Sequence, residues 1–301
     1  MLLVIAGPTA CGKSAVAAAL ARLTGGEVVC ADAFQLYAGM PILTAQPGPE
    51  ELRAAPHHLY GSVPLTEDMD AARYARMAGE VITGIQARGR LAIVTGGSGL
   101  YIKALTHGLS PLPPADSALR AALEALPLEE LTARLLAIDP MAAATVNLRN
   151  PRYVQRALEI ATLSGRPVAD LKTSFAAGLR PGIHGIYLHR ERAELYERIN
   201  RRTHEMMTAG VLDEIRALPP ALSRTAQKTI GLQELRRTLA GGMPVAEAIS
   251  AIQQTTRRYA KRQTTWFRRE TWMWPVDASG RRSGEMALSI EREVRSQIKG
   301  P

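Results

Sequence analysis

The sequence predicts an α/β fold, a parallel sheet flanked by helices, with an all-helical insertion, and three observations carry that prediction. Leu2-Leu3-Val4-Ile5-Ala6 is an unbroken apolar run rich in branched residues, the pattern of a strand covered on both faces. A glycine-rich turn, Gly7 to Gly12, follows at once and leads into a helix-period stretch, Lys13 to Leu23, with Val16, Leu20 and Leu23 on one face and Gly25-Gly26 as its stop. From Asp116 to about Leu179 the chain is rich in Ala, Leu, Arg and Glu and carries no strand pattern.

The remaining elements fall into place around these. Glu27 to Ala31 reads as a second strand, about Ala71 to Ala87 as a helix, and Leu91 to Val94 as a third strand. Pro111-Leu112-Pro113-Pro114 marks a linker into the helical insertion. Gly185 to Leu188 returns to the sheet, helices follow at about Arg192–Ala209 and Val245–Arg269, and Trp272 to Val276 closes it. The expected core spans 1–112 and 182–301, including the basic C-terminal helices, and the expected insertion spans 113–181.

With 301 residues the chain can bury a real core, as one large domain or two modest ones. Its 46% apolar and 22% charged residues are ordinary for a soluble protein. The formal charge of +9 is not, and it favours a polyanionic partner: nucleic acid, a phosphate-rich substrate or an acidic membrane face. Cys11 and Cys30 sit in no Cys-x-x-Cys or Cys/His cluster, which argues against a disulfide framework or a zinc site and for a reducing compartment. No signal-peptide pattern precedes the glycine loop, and no apolar stretch approaches the roughly 20 residues of a membrane span. A cytoplasmic protein without a membrane partner is expected.

Gly7-Pro8-Thr9-Ala10-Cys11-Gly12-Lys13-Ser14 matches the Walker A pattern in full and lies where that motif must lie, between a strand and a helix. Glycines let the backbone curl so that several N–H groups converge on one phosphate, the helix N-terminus adds its dipole, Lys13 adds a full charge, and the Ser14 hydroxyl can ligate Mg²⁺. The fold expected is therefore P-loop NTPase-like. ATPases and GTPases usually place a metal-binding carboxylate at the end of a neighbouring strand. The third strand instead ends Val94-Thr95-Gly96-Gly97-Ser98-Gly99, and the acid, Asp32, follows the second strand, at the sheet edge where substrates collect.

With the P-loop, four further segments and a C-terminal signature resemble the bacterial tRNA dimethylallyltransferase family. They are Asp32-Ala33-Phe34-Gln35-Leu36-Tyr37, Ala55-Pro56-His57-His58-Leu59, Thr95-Gly96-Gly97-Ser98-Gly99-Leu100-Tyr101-Ile102-Lys103-Ala104-Leu105, Asn150-Pro151-Arg152-Tyr153-Val154-Gln155-Arg156-Ala157-Leu158-Glu159, and Ala260-Lys261-Arg262-Gln263-Thr264-Thr265-Trp266-Phe267-Arg268. The resemblance spans Gly7 to about Trp274. It departs at Ala33, where the family usually has Ser, at Gln46, where it usually has Lys, and at Ser98, where it usually has Thr. The Gln46 departure removes a positive charge and is expected to weaken phosphate or RNA contacts.

The resemblance implies that dimethylallyl diphosphate donates its prenyl group to the exocyclic amine of the adenosine 3′ to the anticodon. Asp32 is then the base that takes the amine's proton, since an adenine amine is a poor nucleophile. The P-loop amides, Lys13, Ser14 with Mg²⁺, and Ser98 supply donors for the departing diphosphate. Arg120 is expected to clamp the diphosphate or to contact the RNA. The P-loop is of a nucleotide-binding, ATP-binding type, yet here it would hold a prenyl diphosphate, with ATP not consumed.

A basic C-terminal helix supports an RNA partner. Ile249, Ile252, Tyr259 and Trp266 recur at helical spacing and are expected to be buried, while Arg258, Arg262 and Arg269, with Arg257, Lys261 and Arg268 alongside, form a stripe with no acidic residue between Arg257 and Arg269. By the resemblance, tRNA contacts also fall on Asp32 to Gln35, Arg152 to Arg156, Lys261 to Arg268, and Lys228-Thr229-Ile230-Gly231-Leu232-Gln233. The implied partner is the anticodon stem-loop of tRNA, the adenosine being unstacked to reach Asp32. A monomer is expected. His57 and His58 form no metal set and read as structural or substrate-lining. Rival readings are a small-molecule kinase, an adenylate prenyltransferase, which would lack the Lys-Arg-Gln-x-Thr-Trp region, and an RNA-binding protein with a vestigial P-loop.

Overall fold

The computed structural model describes residues 1–109, 112–113, 116–171 and 178–298. Six strands form one sheet: β1 Leu2–Ala6, β2 Glu27–Cys30, β3 His57–His58, β4 Ala92–Gly96, β5 Ile183–His189 and β6 Met273–Asp277. Their order is β3-β2-β4-β1-β5-β6 and every pairing is parallel. Eight helices matter below: α1 Lys13–Thr24, α2 Pro41–Thr44, α3 Ala71–Ala87, α4 Gly99–His107, α5 Pro151–Ser164, α6 Arg192–Thr208, α7 Val245–Phe267 and α8 Ser283–Ile298.

Strand β1 is central, and its alternating side chains build both layers of the core. Leu2, Val4 and Ala6 point to the face packed by Tyr74, Ala78, Ile82 and Ile85 of α3, whereas Leu3 and Ile5 point to the face packed by α1 and α8. The five strands read from the sequence are all present. Strand β3 is an addition that two residues could not announce by any periodicity. Pro275 lies in β6, at a sheet edge, where its missing N–H leaves no ladder bond unmade.

Two details of the helices differ from expectation. Leu23 is 42% exposed, because α1 buries Ala17, Ala18 and Ala21 beside Val16 and Leu20 and so packs on a small-residue stripe. Helix α8, not anticipated, covers that stripe with Met286, Ala287, Ile290 and Val294. At the start of β2, Glu27 is buried against Arg88, Arg90 and His58, which gives His58 a structural role.

The chain divides into two compact units, Met1–Thr106 with Leu179–Pro301, and His107–Gly178. The second has its own core, in which Leu123, Leu131 and Leu135 meet Val154, Leu158 and Ala161 of α5. Its regular elements among the described residues are all helices. Of the linker Pro111 to Pro114, Pro111 and Pro114 lie outside the described residues. Among the described residues no helix is long and apolar enough to cross a membrane.

Candidate active site

Strand β1 ends at Ala6 and the chain turns through Gly7 to Gly12 into α1. Gly12 caps the helix at φ +101°, a left-handed conformation that glycine adopts without the cost a Cβ would bring. No acidic residue sits in the first turn of α1, so its free N–H groups and dipole face the loop uncompensated. The outer side of the loop is braced. Arg190 holds the Cys11 carbonyl at 3.3 and 3.4 Å, Arg198 Nε donates to the Ala10 carbonyl at 2.8 Å, and Lys13 Nζ donates to the Pro8 carbonyl at 2.7 Å. With these carbonyls engaged, the loop amides other than those of Thr9 and Cys11, which already donate within the protein, are left for an anion.

Asp32 follows β2, next to the P-loop strand's neighbour β4. Its Oδ1 accepts the Phe34 N–H at 3.1 Å, and its own N–H points to Cys30 Sγ at 3.4 Å. Ser98, expected to serve a diphosphate, accepts the Ala33 N–H at 2.8 Å and so ties the Asp32 loop to the β4 turn. Because the bond uses the backbone of residue 33, Ala33 sustains it as well as serine would.

Two cavities meet at Asp32. The larger, about 310 Å³, is lined by Lys13, Ser14, Arg198, Arg202 and Glu51 among others. The smaller, about 60 Å³, is walled by Phe34, Leu43, Met206, Ile230, Ile252 and Tyr259. Thr9, Asp32, Thr44 and Arg202 border both. Burial pulls the Arg202 guanidinium below its ordinary pKa, opposed by the Asp32 carboxylate. Burial, then the neighbouring Arg190 and Arg201, lowers that of Arg198. Such a crowd of cations suits an anionic ligand.

Sequence reasoning missed Arg198 and Arg202. The signal was present: Arg190, Glu194, Arg198 and Arg202 recur every four residues beside the buried Leu195, Ile199, Thr203 and Met206 of α6. Gln46 lines the larger cavity. Gln46 Nε2 donates to the carbonyls of Gln35 and Tyr37, both at 3.0 Å, while Gln35 Nε2 donates to those of Thr44 and Ala45. The paired amides clasp two segments of the cavity wall, a role that needs hydrogen bonds rather than net charge.

The residues expected to meet RNA are not equally free to do so. Val154, Leu232, Gln263 and Phe267 are buried in packing contacts and present no side chain to a partner, and Thr229, also buried, lines the smaller cavity. Helix α7 is turned from the expected face: it buries Ala248, Ile252, Thr256, Ala260, Gln263 and Phe267, while Ile249 and Tyr259 are half-buried and Trp266 is 38% exposed. Ile252 and Phe267 of this row meet the apolar core, while Gln263 turns inward to bond loop backbone. Arg258, Lys261, Arg262, Thr265, Arg268 and Arg269 are exposed. In the second unit Arg120 closes on both oxygens of the buried Glu159, at 2.8 and 3.1 Å, and Arg156 joins the same carboxylate at 2.8 Å. Arg152 and Tyr153 are exposed.

Among the described residues no group of three or more His, Cys, Asp or Glu could cage a metal. The hard oxygen donors in the larger cavity, the Ser14 hydroxyl with Asp32 and Glu51 nearby, fit a Mg²⁺ that keeps most of its shell as water and phosphate oxygen.

A family model described as IPP transferase matches residues 35–270. The tRNA dimethylallyltransferase of Akkermansia muciniphila is 43% identical over 279 residues, covering 93% of this chain and 94% of that protein. That of Anaeromyxobacter sp. strain K is 46% identical over 294 residues, covering 93% and 96%. The full-length tRNA isopentenylpyrophosphate transferase of Bacillus halodurans superposes with a TM-score of 0.74 at 34% identity, over 99% of this chain and 96% of that one. A eukaryotic dimethylallyltransferase acting on tRNA superposes with a TM-score of 0.83 at 25% identity, over 98% of this chain and 79% of that one.

Proposed function

The chain belongs to the IPP transferase family, and from that premise we propose that it moves the dimethylallyl group of dimethylallyl diphosphate onto the exocyclic amine of the adenosine 3′ to the anticodon of tRNA. The observation that carries this reading is the placement of Asp32 where a cationic cavity meets one walled by apolar and aromatic side chains among threonines. The larger cavity suits the diphosphate, with the P-loop amides, Lys13, Arg198 and Arg202 around it. The walls of Phe34, Leu43, Met206, Ile252 and Tyr259 suit the prenyl chain and the base. In the reaction the amine nitrogen bonds to the allylic carbon, the carbon–oxygen bond breaks, diphosphate leaves, and Asp32 takes the amine's proton. Mg²⁺, held by Ser14 and the phosphate oxygens, would neutralise charge on the leaving group. ATP is not consumed.

The exposed cations of α7, with Arg152 and Lys228, are the proposed phosphate contacts, and the acceptor base must leave its stack to reach Asp32. Two buried free cysteines suit a cytoplasmic setting, and we take the working form to be a monomer.

The test is incubation with labelled dimethylallyl diphosphate, Mg²⁺, and either undermodified tRNA or AMP. Label in tRNA alone is expected; label in AMP alone, or ATP turnover, would overturn the reading. Asp32→Asn should lower kcat by roughly 10²–10⁴ while tRNA affinity holds. Full activity in that variant would remove Asp32 as the base.

A further inference from the structure

Helix α7 meets the β4 turn along one line of side chains. Tyr259, Gln263 and Trp266 stand at i, i+4 and i+7, and they lie against Ser98, Gly97 and Gly99 respectively. The Tyr259 hydroxyl lies beside Ser98 and Gln263. Trp266 covers Gly99 so closely that a Cβ there would collide with its indole nitrogen, and a Cβ on Gly97 would collide with Gln263 Nε2.

Gln263 does more than pack. It is 4% exposed, and its amide is used at both ends: Oε1 accepts the Thr9 N–H at 2.8 Å and Nε2 donates to the Gly97 carbonyl at 2.9 Å. Thr9 belongs to the P-loop, and Gly97 to the turn that carries Ser98, which in turn holds the Asp32 loop. One side chain therefore spans the two loops that bound the larger cavity on either side of the β1–β4 pair. The span needs an acceptor and a donor on one planar group of this length. Leucine or methionine offers neither, and a glutamate anion would face the Gly97 carbonyl with negative charge.

We propose that Gln263 is a positioning residue for the diphosphate, fixing the P-loop against the β4 turn, and not an RNA contact. The proposal rests on the reading of the larger cavity as the diphosphate site. It gives α7 two working faces, an inner row that holds the donor site together and an outer row of Lys261, Arg262 and Arg268 turned to solvent. It also removes the Thr9 N–H from the phosphate cradle, since that donor is already engaged.

The test uses Gln263→Glu in the full chain, with Gln263→Met as a second variant should the first fail to fold. Inorganic diphosphate with Mg²⁺ is titrated by calorimetry, and tRNA binding is measured separately. At about pH 8 either variant should bind diphosphate roughly tenfold or more weakly, with tRNA affinity within about twofold of wild type. A protonated glutamate has one donor and one acceptor, as the amide does, so Gln263→Glu should recover towards wild type as pH falls to about 6, whereas Gln263→Met should not. Wild-type diphosphate affinity in both variants at high pH, or a loss confined to tRNA binding, would overturn the proposal. A wild-type protein that binds diphosphate yet labels no tRNA would overturn the transferase reading alone.

Discussion

Glu27 is 2% exposed and still carries its charge, because two guanidiniums and an imidazole close on it: Arg88 Nη2 at 2.7 Å, Arg90 Nη1 at 3.1 Å and His58 Nε2 at 2.6 Å. Burial alone would push its carboxyl up. The hydrogen bonds from Arg88, His58 and Arg90 outweigh burial and hold it down at about 2, from an ordinary 4.5. A carboxyl depressed on folding contributes stability above its unfolded pKa and loses it as pH falls towards the folded value. Glu27→Gln should therefore cost about 1–3 kcal/mol near neutral pH, since Arg88 and Arg90 are half exposed and can find water. In urea melts the gap between wild type and variant should close between about pH 4.5 and 2. A gap that stayed constant would mean the carboxylate is not what the cluster stabilises. The same logic, applied to Glu159 between Arg120 and Arg156, predicts that Glu159→Gln destabilises the second unit and frees two guanidiniums, read as a lowered thermal midpoint.

The short helix α2 shows how an element can exist only by its partners. Four residues cannot sustain a helix alone. The carboxylate of Glu214 accepts the N–H groups of Ile42 and Leu43 at 2.7 and 2.8 Å, satisfying two of the donors that a helix start leaves open. Thr44, at its end, borders both cavities. Glu214→Gln puts an amide NH₂ where an acceptor is needed, and should raise KM for substrate several-fold and cost about 1–2 kcal/mol. An unchanged KM would detach α2 from the site. Elements of this kind mark the limit of what is legible in sequence. The buried strands were legible as continuous apolar runs, and the P-loop and Asp32 as a short pattern in its right context. Glu214 was not legible as a site residue, and Gln263 was legible only as a tRNA contact, because what they do is decided by backbone groups far away in the chain: Glu214 lies 171 residues from Leu43, and Gln263 lies 254 from Thr9. The inner row of α7 was misread for the same reason. Apolar periodicity does not register the hydrogen bonds that turn Gln263 inward to the backbone of two loops, while Ile252 and Phe267 still meet the apolar core.

At the scale of the whole molecule the +9 charge becomes a statement about where cations stay uncancelled. On several helices they cancel locally: Arg134 with Glu130, Arg201 with Glu205, and Arg216 with Asp213 are pairs three or four residues apart. On α7 the stretch from Arg257 to Arg269 has no acid of its own, and its outer row faces solvent. Phosphates that bind there must release condensed counterions, so tRNA affinity should fall by at least about a hundredfold between about 50 and 200 mM salt. Diphosphate sits among partly buried cations, where screening is weaker, so its affinity at constant free Mg²⁺ should change far less over the same range. Lys261→Ala and Arg268→Ala should each flatten the plot of log affinity against log salt by roughly 0.7–0.9 and leave diphosphate binding alone. If the slope kept its wild-type value in the double variant, the outer row of α7 would not be the surface that meets RNA, and the uncancelled charge of the chain would have to be spent elsewhere.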